Sequence, residues 1–492
     1  MSRSCVFSVS VFLFFSCLSA AADSRPNLVL ILADDLGWSD LGCYGNPWFE
    51  TPHLDQLAQE GIRFTNAYSA APICSASRSA ILTGQTPARL GFEFVTKKEV
   101  GYQPMKTPLR APPYTLDLPL EKVTIPEVLS KAGIDSAFFG KWHVSRHHKG
   151  YLGWSPTHGP LKQGFKWAAE DFGAHPYSYW NDKTKRTFLD LPAGEMPVDS
   201  MNERAVSFLR EEHKKPFFLM VSHFHVHTPV HTRAEWLYEK LLAKIPEDHP
   251  RRKDLAHYGA MVTALDVLVG DVLQALDDEN LKENTLVIFT SDNGGHPEYA
   301  GNSPLRGSKW NLYEGGIRVP MIARWPTHIK KGGICDTPVS GVDLLPTFAE
   351  AAGRKIPRDV DGRSILPLLK DPAAELPTRS LTWHFPYYHP ETGFDKAPAK
   401  IGVNDGFTSQ TRPQSAIREG DWKLIHFYEK EQDELYNLAE DPEESQNLRD
   451  TEPETSRWLR EKLDISLEEM KARLPIAREQ QKGVVAKLLV FR

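Results

Sequence analysis

Two pairs of oxygen-bearing side chains each follow an apolar run in this sequence: Asp34 with Asp35, and Asp292 with Asn293. Together they offer three carboxylates and one amide, the hard donors that calcium or magnesium prefers and that zinc and copper favour less. A single aspartate at the end of a strand commonly caps a loop or a helix. Two adjacent pairs at two such ends predict a metal site.

A second set of candidate residues is basic: Arg78, Lys141, His143 and Lys309. Any one of them by itself is ordinarily a solvated surface charge. Their settings, such as Gly-Lys-Trp-His around Lys141 and Leu-Arg-Gly-Ser-Lys ending at Lys309, favour a role in a site. An anion such as sulfate spreads its charge over several oxygens and needs several fixed donors, which arginine and lysine supply.

Four histidines follow the apolar residues 217–221: His223, His225, His227 and His231. Because His225 and His227 alternate, a zinc site is an alternative interpretation of this segment. His225 and His231 are otherwise candidates for substrate contact or for structural packing.

Cys74 begins the sequence Cys-Ser-Ala-Ser-Arg, which is followed by Thr83-Gly84. By residue type alone, Cys74 is a buried structural cysteine, half of a disulfide or a reactive group. If a helix begins here, the free amide groups of its first turn favour an anion. Cys43 and Cys335 are the other cysteines beyond residue 22, so their pairing stays open.

The elements that must position these residues alternate between apolar runs and helical patterns, which is typical of parallel strands joined by crossover helices. Strands are predicted at residues 27–33, 137–139, 217–221 and 285–290, and helices around residues 54–58, 128–132, 205–209 and 256–276. The candidate residues follow the carboxyl ends of these strands, where open parallel sheets bind ligands. The predicted fold is α/β, with a large mixed, mostly parallel sheet between layers of helices.

The end of the chain follows a different pattern. Short strands are predicted at residues 381–385, 415–418, 422–427 and 434–437, followed by an amphipathic helix at residues 458–474. We therefore predict a catalytic domain at residues 23–375 and a smaller α+β subdomain on an antiparallel sheet at residues 376–492. The irregular segments 91–122 and 145–199 are long for loops in a compact domain, which indicates a function.

Composition indicates a globular, exported protein. The chain of 492 residues is 41% hydrophobic and 25% charged, with a net charge of −6 and no long basic run, which argues against nucleic acid as a partner. Residues 1–22 contain Arg3, an apolar run and an A-x-A site, so they are predicted to be a signal peptide. We expect no membrane span and a periplasmic, extracellular or lumenal location.

Several blocks of the sequence, in order, resemble the type I sulfatases, the formylglycine-dependent, arylsulfatase-like members of the alkaline phosphatase superfamily. The blocks are residues 27–37, the Cys74 motif, residues 140–143, 227–229 and 291–294, Lys309 with residues 313–320, and residues 420–424. The resemblance implies an alkaline-phosphatase-like fold and hydrolysis of sulfate esters. It also implies that a maturation enzyme converts Cys74 to formylglycine.

The resemblance further implies a role for each candidate. Calcium is held by Asp34, Asp35, Cys74 in its modified form, Asp292 and Asn293. Arg78 stabilises the formylglycine hydrate, and the residues that grip sulfate are Lys141, His143, His227 and Lys309. In the implied mechanism Asp292 accepts a proton from the attacking hydroxyl, His227 or Lys309 protonates the leaving alcohol, and His143 accepts the proton of the second step.

Two positions depart from the usual family pattern. Ala76 stands where proline is commonest, which leaves open which maturation enzyme recognises the motif, and Gln85 replaces a frequent basic residue. Neither departure removes a catalytic group.

The substrate is predicted to be a sulfated carbohydrate, because aromatic faces stack on sugar rings and the segment 145–199 is rich in them: Trp154, Trp167, Tyr177, Tyr179 and Trp180. Two alternatives are a phosphatase or phosphonate monoester hydrolase of the same fold, and a non-catalytic glycan-binding relative.

Overall fold

A large sheet lies at the centre of the structure, a computed structural model that describes residues 25–388 and 411–478. The predicted signal peptide, residues 1–22, lies outside the described residues. The strands are β1 (Asn27–Ala33), β2 (Ile62–Phe64), β3 (Ala67–Tyr68), β4 (Leu109–Arg110), β5 (Asp135–Gly140), β6 (Trp167–Ala169), β7 (Phe217–Ser222), β8 (Thr285–Ser291), β9 (Met321–Arg324), β10 (Gly333–Cys335), β11 (Val339–Ser340), β12 (Ser380–Phe385), β13 (Gln414–Glu419), β14 (Trp422–Phe427), β15 (Gln432–Asn437) and β16 (Ile476–Ala477).

The helices connect these strands and cover the large sheet. They are α1 (Pro52–Glu60), α2 (Cys74–Thr83), α3 (Pro87–Leu90), α4 (Ile125–Ser130), α5 (Ser200–Leu209), α6 (Glu235–Lys244), α7 (Arg252–Asp278), α8 (Glu314–Ile317), α9 (Leu344–Ala351), α10 (Leu366–Lys370) and α11 (Pro453–Glu469). All the strands and helices predicted above are present. The helix predicted to reach residue 474 ends at Glu469, and α4 ends at Ser130.

The large sheet has eight strands in the order β10-β2-β9-β8-β1-β7-β5-β6. Its pairings are parallel except for the two that β9 makes, with β2 and with β8. The predicted mixed, mostly parallel sheet is therefore confirmed. The strands β8, β1, β7 and β5 are neighbours, so their carboxyl ends lie side by side.

Both faces of the sheet are buried, which explains why β1 is apolar throughout. Val29 and Ile31 face a core built with α1, α5, α6 and α7. Leu28 and Leu30 face the opposite core, which includes residues of α4 and α9. Because successive side chains of a strand point to opposite faces, a strand covered by helices on both sides must be apolar at every position.

Among the described residues, α7 is the one helix that is long and apolar enough to cross a membrane. It is largely buried, and it packs against α1, α5 and α6 as a core helix of the sheet's first face.

The C-terminal sheet is separate and antiparallel, in the order β12-β13-β14-β15. Apolar residues of α11, such as Leu459 and Leu463, pack on its Ile417, Leu424 and Leu435. The predicted antiparallel subdomain is thus present in the fold, while its boundary at residue 375 stays a prediction. The cysteines of the described residues, Cys43, Cys74 and Cys335, are free thiols.

Candidate active site

Four of the candidate residues meet at the carboxyl ends of three strands of the large sheet. Asp34 and Asp35 follow β1, Lys141 follows β5, and Asp292 follows β8. The backbone locks these ends together, because Asp292 N–H donates to Ala33 O (3.1 Å) and Lys141 N–H donates to Ser222 O (2.8 Å). The site is buried, since all four of these side chains are at most 1% exposed.

Helix α2 places Cys74 and Arg78 on one face, because Cys74 is its first residue and Arg78 lies one turn later. All ten residues of α2 are buried, which small side chains such as Ala76 allow. Gly84 ends the helix in the left-handed conformation (φ 67°) that favours glycine. The sequence Cys-x-x-x-Arg followed by Thr-Gly therefore codes for a short buried helix that begins and ends at defined residues.

Arg78 joins three of the strand ends. Its Nε donates to Asp292 Oδ2 (2.8 Å), and its Nη1 donates to the Lys141 carbonyl oxygen (2.9 Å) and to Ser222 Oγ. Its Nη2 lies 3.5 Å from Asp34 Oδ1. A planar guanidinium can serve all these partners at once, which lysine could not do.

Lys141 contacts the other carboxylate oxygen of Asp34, to which its Nζ donates. The preceding Gly140 has φ 105°, and a Cβ there would lie 2.0 Å from Ser222 O. Only glycine allows β5 to approach β7 this closely, and this approach directs Lys141 into the site.

Asp35 lies at the centre of the second half of the site. Lys309 Nζ donates to Asp35 Oδ2 (2.6 Å), and Asn293 Nδ2 donates to Asp35 Oδ1 (2.7 Å). His227 Nε2 is 3.6 Å from Asp35 Oδ2, and Cys74 Sγ is 3.8 Å from Asp35 Oδ1. Asp35 therefore connects the predicted nucleophile to three residues expected to bind the metal or sulfate.

The donor set fits a hard cation. One ligand atom each from Asp34, Asp35, Cys74 and His227 lie within 4.8 Å of one another. Asp34 Oδ1 and Asn293 Oδ1 are buried without a hydrogen-bond donor, which is costly unless a positive group approaches them. Asp292 belongs to the same pocket but is held by Arg78 and is not one of those four residues.

The histidines divide into two kinds. His227 Nδ1 lies 2.6 Å from Thr228 O and 2.8 Å from Tyr177 Oη. Since a carbonyl oxygen only accepts, Nδ1 carries the hydrogen and leaves Nε2 of a neutral His227 as an acceptor toward Asp35. His143 Nδ1 is buried without a hydrogen-bond partner. His225 packs its ring against His175 (5.4 Å) and is not one of the four residues whose ligand atoms converge, so the structure does not support the alternative zinc pair.

The charges in this pocket shift the ionisation of several groups. Burial raises the pKa of Asp292 to about 6, with the charges of Asp34 and Asp35 acting in the same direction against Arg78. Burial opposes ionisation of Asp35 too, but Lys309 and, to a smaller extent, His227, Lys141 and His296 together outweigh it, so the pKa of Asp35 is lowered. Burial raises the pKa of the Cys74 thiol. Cys74 is therefore a thiol, and Asp292 can exchange a proton near neutral pH.

The pKa values of the two lysines and of the two histidines in the pocket shift in opposite directions. Burial disfavours the charge of Lys141 and Lys309, but the surrounding acidic groups together outweigh it and raise both pKa values, chiefly Asp34 for Lys141 and Asp35 for Lys309. Burial, together with nearby lysines, lowers the pKa of His143 and of His227 well below its usual value. The free site thus holds charged lysines beside neutral imidazoles.

Of the five aromatic residues expected to stack on sugar, Tyr177 contacts the site, through His227. Trp154 packs on Phe138 (5.6 Å) and Tyr179 on His231 (5.9 Å), and both are largely buried. The contacts of Trp154 and Tyr179 are therefore packing contacts within the protein.

Sequence reasoning missed two residues beside the site, His147 and Tyr151. The rings of His143 and His147 lie 5.8 Å apart, and those of His147 and Tyr151 lie 5.0 Å apart. Both residues follow His143 in a segment without regular periodicity. His143, His147 and Tyr151 are spaced four residues apart, which was the available signal. That spacing cannot be converted into distances between side chains without knowing the backbone conformation.

Comparison with known proteins covers both sheets. The Sulfatase family profile matches residues 26–354, and the profile described as N-sulphoglucosamine sulphohydrolase, C-terminal, matches residues 308–473. N-acetylgalactosamine-6-sulfatase of Rattus norvegicus is 35% identical over 381 residues, covering 72% of this chain and 67% of the relative. A protein named Sulfatase from Formosa agariphila is 32% identical over 491 residues, covering 87% of this chain and 85% of the relative.

A solved structure shares this arrangement of sheets and helices. The crystal structure of Ps i-CgsB in complex with k-i-k-neocarrahexaose superposes with a TM-score of 0.70 at 27% identity. The match covers 90% of this chain and 93% of that chain.

Proposed function

From the premise that this chain belongs to the sulfatase family of sulfuric ester hydrolases, we propose that it is an exported carbohydrate sulfatase that uses formylglycine made from Cys74. The observation that carries the proposal is the position of Cys74. It is 1% exposed, begins α2, and lies beside Asp35 with Arg78 one turn below it.

Formylglycine explains why a cysteine is needed here. Conversion of Cys74 would replace its thiol with an aldehyde, whose hydrate offers one hydroxyl to attack sulfur and a second whose proton loss expels sulfate. Calcium held by Asp34, Asp35, Asp292 and Asn293 would acidify the attacking hydroxyl and offset charge on sulfate.

The chain's own residues supply the proton transfers. Asp292, with its pKa near 6 and its orientation fixed by Arg78, is suited to accept the proton of the attacking hydroxyl. His143 is neutral, and its Nδ1 lacks a partner, so it can accept the second proton.

Lys309 is the better donor to the leaving alcohol. Lys309 Nζ carries protons and donates one to Asp35 Oδ2 (2.6 Å), whereas neutral His227, whose Nδ1 hydrogen points to Thr228 O, presents a bare Nε2 on that side. Of the two candidates that the resemblance implies for this role, the geometry therefore favours Lys309. Lys141 and Lys309 also supply positive charge for the sulfate oxygens.

The thiol of Cys74 argues against the phosphatase alternative. That alternative needs Cys74 or another residue to act as the nucleophile, and burial raises the pKa of this thiol rather than producing a thiolate. An unmodified Cys74 is therefore poorly suited to attack phosphorus.

The substrate class rests on the relatives and on the rings beside the site. One relative is named for sulfated N-acetylgalactosamine, and one structural neighbour contains bound neocarrahexaose. Tyr151 and Tyr177 lie next to His143 and His227, where the alcohol part of a substrate would rest. Export is inferred from residues 1–22 alone.

The proposal is tested with Cys74→Ala, using Cys43→Ala as the matched thiol control. Sulfate release from a panel of sulfated oligosaccharides, aryl sulfates and lipid sulfates is measured alongside the melting temperature. We expect Cys74→Ala to fold and to release no sulfate, and Cys43→Ala to keep turnover. Near-wild-type turnover in Cys74→Ala would contradict the formylglycine mechanism. Wild-type turnover confined to aryl or lipid sulfates would contradict a carbohydrate substrate.

A further inference from the structure

Five rings form a continuous arc beside the catalytic residues, and we name this set the ring arc: His143, His147, Tyr151, Tyr177 and His227. Successive rings lie 5.8, 5.0, 5.7 and 5.9 Å apart. The ring arc begins and ends at two residues predicted to grip sulfate. Its middle members therefore lie next to the position of the group that carries the sulfate.

Tyr151 is the member of the ring arc that is open to solvent, with 54% of its surface exposed. Its ring packs edge-on with His147 (5.0 Å) and with Tyr177 (5.7 Å), so it is anchored beside the catalytic residues while half of its surface stays exposed. An anchored, exposed aromatic ring is suited to stack on a sugar ring.

Lys97 follows Thr96, whose N–H donates to Ser75 Oγ (3.1 Å) beside Cys74, and Lys97 has no ion pair or hydrogen bond to any of the residues 25–388 and 411–478. Its ammonium lies over the rings of Phe94 (5.5 Å) and Tyr114 (5.7 Å), and burial lowers its pKa. A half-buried cation without a carboxylate carries a desolvation cost, which the two aromatic faces offset in part.

His147 is linked to Lys97 and to the site. Burial lowers the pKa of His147 to about 4, and the charges of Lys97 and Lys141 act in the same direction. His147 Nε2 is buried and has no hydrogen-bond partner. Thus a cation without a counter-ion, next to the first turn of α2, and an unpaired imidazole nitrogen, one ring away from His143, both border the catalytic residues.

We propose that Lys97 and His147 form a second anion subsite, which binds a sulfate or carboxylate group of the substrate next to the ester that is cleaved. Tyr151 would stack on the sugar ring between the two anions. The inference rests on the proposed function and narrows its substrate class to carbohydrates with more than one negative group. Neutral sugars carrying a single sulfate would leave Lys97 without a partner.

The subsite is tested first by binding, in the inactive Cys74→Ala background, so that it does not depend on catalysis. Calorimetry compares Cys74→Ala with Cys74→Ala carrying Lys97→Met, using three ligands: a monosulfated neutral sugar, a disulfated sugar, and a monosulfated disaccharide with a uronate. We expect Lys97→Met to weaken the disulfated or uronate ligand about tenfold and to leave the monosulfated sugar unchanged, because one charge-assisted hydrogen bond is lost. Which of the two dianionic ligands responds identifies the second anion as sulfate or carboxylate.

Lys98→Met is the matched control, because Lys98 is the exposed neighbour of Lys97. It should change none of the three affinities, and Lys97→Arg should keep the preference for two anions. Equal weakening of all three ligands, or no change in any, would overturn the subsite. A wild-type enzyme that releases no sulfate while the binding pattern holds would instead contradict the proposed function.

Discussion

At the scale of single residues, the site sets three buried carboxylates against three basic side chains and still leaves acceptor oxygens without a donor. Asp34, Asp35 and Asp292 are all fully buried, and Lys141 and Lys309 already contact two of them. Asp34 Oδ1 and Asn293 Oδ1 still lack a donor. The carboxylate and amide donors explain why the sequence alone already indicated a hard cation and not zinc.

Calcium is expected to stabilise the folded protein measurably. Adding it to chelator-treated protein should raise the melting temperature and restore sulfate release, since saturation to 100 times the Kd stabilises by about 2.7 kcal/mol. In Asp35→Asn, which removes one ligand charge, the calcium-dependent rise should be lost. Thermal melting with and without calcium measures this rise. A wild-type melting temperature that calcium does not change would contradict the metal site.

Tyr177 is expected to act as a positioning residue for His227. Tyr177→Phe removes the oxygen 2.8 Å from His227 Nδ1 and leaves the ring in place, so we expect kcat to fall about tenfold with little change in KM. The control is Tyr179→Phe, whose hydroxyl contacts His231. If both variants had the same kinetics, the hydroxyl of Tyr177 would not position His227.

At the scale of elements, the chemistry follows from where strands and helices begin and end. Spacing placed Arg78 one helical turn after Cys74, and apolar runs placed Asp34 and Asp292 at strand ends, so these positions were predictable from the sequence. Tyr151, His147 and Lys97 were not, because they lie in irregular segments where no period relates sequence spacing to distance. Their proximity depends on tertiary packing.

A buried ion cluster joins α8 to the C-terminal sheet, and sequence spacing gave no sign of it. Lys423 on β14 lies 2.8 Å from both Glu314 and Glu444, and all three side chains are fully buried. The residues are far apart in sequence and belong to the two predicted domains. The cluster is therefore a contact that holds the smaller sheet against the catalytic one.

Removing Lys423 is expected to be costly. Lys423→Met would remove the ammonium between two buried carboxylates and leave Arg318, 3.6 Å from Glu314, as the remaining ion-pair partner, so we expect a loss of about 3–5 kcal/mol in unfolding free energy. Lys462→Met removes a partly exposed partner of Glu419 and should cost less than about 1 kcal/mol. Urea denaturation measures both, and equal losses in the two variants would show that the cluster does not stabilise the interface.

At the scale of the whole molecule, the two sheets divide the work. The carboxyl ends of the large sheet, α2 and the loop that carries Lys309 supply the predicted metal and sulfate site, while the C-terminal sheet packs Trp383 and Phe385 against Tyr68 and Ala76. That second core supports α2 from behind. The fold class was predictable because long apolar strands alternate with helices, whereas the contact between the two sheets was not.

Conversion of Cys74 is measured by the mass of the tryptic peptide 64–78, taken from protein purified from its native source. We predict a peptide in which the CH₂SH group of Cys74 has become CHO, so that the mass is lower by H₂S and higher by one oxygen. An intact thiol or a disulfide at Cys74 in active protein would contradict it, because the proposed nucleophile would then never be made.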